Sequence, residues 1–238
     1  MQTLKGKKVI VTGGGRGLGK AVALLLAADG ADVAITGRNE EHLKTVTSEI
    51  EALGVNAAYA VFNVDDEAAV KTNIDKLVAQ LGGLDILINN AGIGNMGSLT
   101  DMSSADWKQV IQTNLFGAYH VAMAAYPHLL QNGQGDVVNV SSSAGLKGGA
   151  GMSAYAASKS ALISLSQSMM AEWRKQNIRV ITLTPSTIAS DMSITAGLTN
   201  GDPEKVLQPE DFAEWVRDIL KMNRRALIAN GSIFSTNP

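Results

Sequence analysis

Apolar residues follow two rhythms along this chain, and the rhythms alternate. Short continuous runs, beginning with "KVIVT" at 8–12, give way to stretches where apolar positions recur every three or four residues. The runs read as buried strands and the stretches as amphipathic helices. In order they predict strand 8–12, helix 17–30 closed by Gly30, strand 32–36, helix 39–53 ended by Gly54, strand 56–61, and helix 66–81 ended by Gly82 and Gly83. "LDILINN" (84–90) is the next strand, and its apolar continuity predicts burial on both faces. A long helix follows over 104–130, with Ser103 or Ser104 as its cap ahead of Asp106. Strand 136–140, a Gly/Ser loop over 141–153, helix 154–176 and strand 178–184 complete six strand–helix units. Such strict alternation predicts a doubly wound α/β fold: a parallel sheet of about seven strands with helices on both faces. After Pro185 the rhythm loosens. Residues 186–207 read as a polar, glycine-containing lid, Pro209 opens a helix to Lys221, and "RALIAN" (225–230) reads as a last strand. No linker, repeat or low-complexity segment interrupts 1–238, so one domain is the simplest organisation.

Composition narrows the picture little but usefully. The 238 residues are 45% hydrophobic and 18% charged, a globular profile. A net charge of −2 with no long basic run argues against a nucleic-acid surface. The absence of cysteine excludes disulfides and thiol chemistry. No apolar run reaches membrane-spanning length, and "MQTLKGKKVIVTGGG" lacks the apolar core of a signal peptide, so a soluble, cytoplasmic protein is expected.

The first candidate chemistry lies where strand 8–12 meets "TGGGRGLG", whose spaced glycines are 13, 17 and 19, with Gly15, Arg16 and Leu18 between them. The spacing G-x-x-x-G-x-G differs from the usual dinucleotide fingerprint. The physics is shared: glycines let the backbone turn sharply and approach a pyrophosphate at the N-terminus of the next helix. A ligand-free glycine turn would read the same way locally, but the strand before it and the helix after it favour binding. The second strand ends in Gly37 and Arg38, where NAD enzymes tend to carry an acid for the ribose 2′-hydroxyl. A guanidinium there can instead grip a 2′-phosphate in bidentate fashion, and Arg16 could add a second positive charge. Two solvated arginines are the alternative. The combination points to NADP(H).

The second lies in "MSAYAASKSA" (152–161), where Tyr155 and Lys159 share one helix face. Alone, the pair is what many solvated helices show. Together with "TGGGRGLG", "NNAG" (89–92), Asn114 in "TNLFGAYH", "VNVSSSAG" (138–145) and Pro185, however, the chain resembles the short-chain dehydrogenase/reductase family over nearly its whole length. The resemblance implies a single Rossmann-type domain and a catalytic group of Asn114, Ser142, Tyr155 and Lys159. The family's usual spacing selects Ser142 with Gly145 from the serine run, leaving Ser141 and Ser143 as loop hydrogen-bonders. Hydride arriving at a carbonyl carbon creates an alkoxide, which needs a proton donor and hydrogen bonds. Tyr155 would donate that proton, or accept it in oxidation, with the Lys159 ammonium expected to pull its pKa below the ordinary value near 10. By resemblance Lys159 also binds the nicotinamide ribose, Ser142 holds the substrate oxygen, and Asn114 anchors a water in a proton relay. Asn90, Ala91 and Gly92 would lie beside the cofactor, with Asn89 more structural. His42, His120 and His128 show no ligand spacing, so no metal is expected.

Two departures stand out. Asn63-Val64 replaces the family's Asp-Val beside adenine, and Pro185-Ser186 replaces Pro-Gly, so the loop start is expected to take its own path. Beyond it, Ile188 would face the carboxamide and Ser190 would meet the cofactor. Gly94, Leu146, Met152, Met192, Ile194 and Leu198 are expected around a small-molecule carbonyl substrate. In look the chain is nearest to 3-oxoacyl-acyl-carrier-protein reductases, which implies an acyl thioester. Yet "HLLQNGQGDVV" (128–138) has none of the Arg or Lys that would dock an acidic carrier, and "RKQNI" (174–178) compensates only partly. The leading function is therefore NADPH-dependent ketone reduction. An NAD(P)-dependent alcohol or sugar dehydrogenase and a non-catalytic dinucleotide sensor are the alternatives. A homotetramer or dimer built on the two long helices is expected from likeness, with "GSIFSTNP" covering a neighbour or closing the pocket.

Overall fold

Alternate residues of the first strand feed two different cores. In the computed structural model, which describes residues 1–236, β1 (Lys8–Thr12) sends Val9 and Val11 to one side and Ile10 to the other. That strand sits inside a seven-stranded, fully parallel sheet with β2 (Asp32–Gly37), β3 (Ala57–Val61), β4 (Ile86–Asn89), β5 (Gly135–Val140), β6 (Ile178–Pro185) and β7 (Asn230–Ile233). The order is β3-β2-β1-β4-β5-β6-β7, so the winding reverses between β1 and β4. A reversal of this kind opens a crevice at the carboxyl ends of the strands.

Helices cover both faces. α1 (Gly17–Ala28), α2 (Glu40–Glu51) and α8 (Pro209–Lys221) pack Leu26, Val46, Ile50, Phe212 and Val216 into one core. α3 (Glu67–Leu81), α5 (Gly117–Gln131) and α6 (Ser153–Trp173) pack Ile74, Leu77, Val121, Leu129 and Trp173 into the other. Glycines end the early helices as their sequence positions predict, with φ of +88° at Gly30, +81° at Gly54 and +78° at Gly82. At the foot of the sheet, away from the crevice, buried Asp136 accepts two hydrogen bonds from Arg179 (2.6 and 3.0 Å) and two from Arg224 (3.2 Å each). Removing one partner of such a buried cluster would strand charge.

Three expectations need correction. The long helix over 104–130 is broken into α4 (Ser104–Ile111), a wide π-helical turn (Gln112–Phe116) and α5, and Asn114 stands in that turn. The last strand is Asn230–Ile233, not 225–230. Leu227 and Ile228 do pack on the first core, but from irregular chain. The lid contains a short helix, α7 (Asp191–Thr195), started by a reciprocal Ser190–Ser193 capping box. Its two ends are pinned together, with the Ala189 N–H donating to the Leu207 carbonyl at 2.8 Å and an isolated parallel bridge joining Ile188 to Leu207. Of the C-terminal segment, β7 lies in the sheet, while 237–238 fall outside the described residues.

Candidate active site

A cavity of about 1020 Å³ fills the crevice, reaching from the glycine turn after β1 to α6 and the lid. Its phosphate end is built by backbone. Gly13 and Gly17 have φ of +67° and +53°, which L side chains rarely adopt, and nothing stands within 4 Å of the space a Gly17 side chain would enter. α2, α3 and α4 are each capped by a side chain (Asn39, Asp66 and Ser103). The N-cap of α1, Arg16, has no such bond, and its first turn carries no acid. Its leading N–H groups thus face the cavity with no side-chain acceptor, the arrangement a pyrophosphate needs. The residues present therefore fit a dinucleotide. Gly15, Leu18, Gly37, Arg38, Asn63, Val64, Asn90, Ala91, Gly92, Pro185, Ser186, Ile188 and Ser190 all line the cavity, as do Gly13, Arg16 and Gly17. Gly19 does not: a Cβ there would lie 2.3 Å from the Gly13 carbonyl oxygen, so it serves the packing of α1 on the turn.

The two arginines differ. Arg38 lines the cavity at the end of β2 and makes no ion pair among the described residues. Arg16 instead reaches across the mouth and donates to Asp191 of the lid at 3.0 Å, with both side chains largely exposed. Asp191 escaped the sequence reading because an acid at a lid helix start reads first as a helix-dipole partner.

The chemical end is held from the rear of α6. Ser141, just after β5, donates its hydroxyl to the Lys159 carbonyl at 2.9 Å; Ser141, Ser142 and Ser143 all line the cavity, and it is Ser142 that hydrogen-bonds with Tyr155. Gly145 explains the glycine of the serine motif: a Cβ would come within 2.8 Å of the Lys159 carbonyl carbon and 3.0 Å of Ser141 Oγ. Lys159 is 4% exposed, and its Nζ donates to the Val140 carbonyl at 2.8 Å. Tyr155 lies one turn earlier, with Lys159 Nζ 5.7 Å from its ring centroid.

The titration of this pair departs from expectation. Burial pushes the Tyr155 phenol up from its ordinary value, against a hydrogen bond with Ser142 that works downward. Burial also pulls Lys159 down to about 8. Desolvation disfavours the charged form of each, and at Tyr155 it outweighs the Ser142 hydrogen bond that favours the phenolate. Tyr155 therefore holds its proton at neutral pH, which suits a donor.

Asn114 does not line the cavity; it is fully buried behind the wall. Its amide accepts from the Ile93 N–H (2.8 Å) and donates to the Ile93 carbonyl (2.9 Å) and to Ser158 Oγ (3.1 Å). The π turn thereby ties the chain after β4 to the helix carrying Tyr155. Asn89 is structural, donating to the Ala118 carbonyl at 2.7 Å, whereas Asn90 braces the turn through the Thr12 carbonyl at 2.9 Å. Ser186 has an ordinary negative φ, and its N–H continues the β6–β7 pairing to the Ile233 carbonyl at 2.9 Å. Met152, Met192 and Leu198 line the cavity as expected, while Gly94, Leu146 and Ile194 do not. Met96, Phe62 and Lys147 join the wall unanticipated. Apolar residues in loops carry no periodic signal that would reveal them.

With the geometry in view, the comparisons agree on kinship. The family model for short chain dehydrogenases matches residues 7–200, and the chain belongs to that family. It is 37% identical over 217 residues to the 3-oxoacyl-[acyl-carrier-protein] reductase of Chlamydia pneumoniae, covering 91% of this chain and 83% of that one. Among solved structures it resembles a short chain dehydrogenase from Burkholderia cenocepacia in complex with NADP (TM-score 0.89, 35% identity, 98% of both chains). It also resembles an NAD+-bound xylitol dehydrogenase (TM-score 0.89, 28% identity, 98% of this chain and all 100% of the other). The fold and the oxidoreductase class are thus shared, while the cofactors differ among the relatives.

Proposed function

We propose that this chain is an NADPH-dependent reductase that converts a ketone to a secondary alcohol, as a single Rossmann-type domain. The observation that carries the reading is the convergence of Ser142, Tyr155 and Lys159 on the wall of a cavity whose far end offers Arg38, which makes no ion pair among the described residues. A bound nicotinamide would supply the hydride. Gly13, Gly15 and Gly17 would approach the pyrophosphate, Asn63 and Val64 the adenine, and Arg38 the 2′-phosphate. Lys159 would hold the ribose hydroxyls, for which it would turn from Val140. Ser142 and Tyr155 donate hydrogen bonds to the carbonyl oxygen, and as charge develops there the phenolic proton of Tyr155 passes to it. Asn114, through its hold on the wall, positions this group and the water that would refill the proton. The 3-oxoacyl thioesters are included among substrates by likeness to the reductases above. Exposed Phe116 in the π turn and Tyr119 and Met123 on α5 support self-association as a tetramer or dimer, and no helix among the described residues can cross a membrane, which fits a cytoplasmic enzyme.

The test is turnover of ketones, diketones, polyol-derived ketones and 3-oxoacyl thioesters with NADPH and with NADH. Consumption of NADPH that vanishes in Tyr155→Phe is expected; binding of NADPH with no turnover of any compound would favour a sensor. Arg38→Asp should weaken NADPH by about 10- to 100-fold, the scale of a charge-assisted pair. An unchanged preference would place the 2′-phosphate elsewhere.

A further inference from the structure

The substrate half of the cavity is bounded by three methionines from three separate segments. Met96 comes from the loop after β4, Met152 from the residue before α6, and Met192 from the lid helix. The first two segments are fastened to each other, the Gly97 N–H donating to the Gly151 carbonyl at 2.9 Å. Two of the thioether chains converge over Gly94, where a Cβ would stand 2.9 Å from Met192 Sδ and 3.3 Å from Met96 Cε. Met192 is 37% and Leu198 43% exposed, so apolar surface faces an open mouth.

Most polar side chains here are already engaged: Ser142 and Tyr155 serve the reacting oxygen, Ser190 and Ser193 bond each other, and Asp191 pairs with Arg16. Ser143, Thr187 and exposed Lys147 remain on the lining. A polyhydroxylated substrate needs a partner for each hydroxyl it desolvates, and these are fewer than a ketose presents. Thioethers are polarisable and unbranched, so they reshape around irregular apolar bodies and make favourable contacts with ring edges.

We propose that Met96, Met152 and Met192 form a deformable subsite for ketones bearing an apolar ring, aromatic or alicyclic, next to the carbonyl. This rests on the reductase reading for its reaction but not for its binding. The test therefore has two readouts on the protein saturated with cofactor. The first is kcat/KM with NADPH for 1-tetralone, 2-butanone, fructose and an acetoacetyl thioester. The second is calorimetric binding of 1-tetralone to the NADP+ complex.

Tetralone should exceed fructose by about 100-fold or more, the discrimination unpaired polar groups impose. Met96→Ala, Met152→Ala or Met192→Ala should each lower the tetralone-to-butanone ratio by about two- to tenfold, the scale of a sulfur–ring contact, and weaken tetralone binding in parallel. Met192→Leu, which refills the volume without the thioether, should regain only part of that ratio, separating the sulfur's contribution from lost packing. A preference for fructose, or tetralone binding indifferent to all three alanines, overturns the subsite. Tetralone that binds through the methionines without being reduced would sustain the subsite and overturn the reductase reading instead.

Discussion

The wall around Lys159 and the lid around Met192 border one cavity but are made in opposite ways. Behind Lys159, backbone meets backbone: Gly145 lies against the lysine's own carbonyl, Ser141 bonds it, and Asn114 locks the neighbouring turn. Lys159 is 4% exposed and Asn114 not at all. The lid rests on a five-residue helix, a capping box and one bridge, and Ile194 is 49% exposed. Precision near the reacting atoms comes from close packing, which tolerates little change. Adaptability toward the substrate comes from a segment with few buried contacts, which lies at the low-stability end of any fold.

Three measurements would break or sharpen that contrast. The largest effect should come from the charge of Lys159. Its pKa falls from 10.5 unfolded to about 8 folded, so folded protein binds fewer protons between those values and stability rises with pH across that window. Below it the burial costs on the order of 3 kcal/mol. In denaturant titrations without cofactor, Lys159→Met should gain most over wild type near pH 7, with the gain shrinking toward pH 10; a constant difference would contradict the buried charge. Next, Gly145→Ala should cost about 1–3 kcal/mol of unfolding free energy, because the rigid backbone of α6 occupies the space. A variant as stable as wild type would show that the wall can give. The smallest effect belongs to the lid. Asp191→Asn removes an exposed ion pair with Arg16 and should change stability by less than about 1 kcal/mol. A larger loss would make the lid part of the frame.

The same contrast decides how much could be read from sequence. Buried strands and their capped helices announce themselves by apolar rhythm and terminal glycines, so six strands, the winding and the helix ends were legible. β7 was displaced because its own residues, "NGSI", are half exposed and polar, while the apolar Leu227 and Ile228 before it pack without pairing. The π turn was invisible because one extra residue in a helical turn leaves the apolar spacing on either side intact. Most candidate cofactor residues lie on the cavity because backbone geometry confines which side chains can reach it. Gly19 and Asn114 lie behind it because close packing and ligand contact favour the same residue types. The Arg16–Asp191 pair joins residues 175 positions apart, which no local pattern can show.

The pinned ends of the lid carry a consequence for how such a chain can change. Since Ala189 and Leu207 are bonded to each other, the segment between them leaves and re-enters the scaffold at nearly one point. Closing a longer or shorter loop at such a point costs little extra entropy. The segment is thus an exchangeable cassette: its length and residues can be rewritten, by evolution or by grafting, while the sheet, the glycine turn and Tyr155 keep their places.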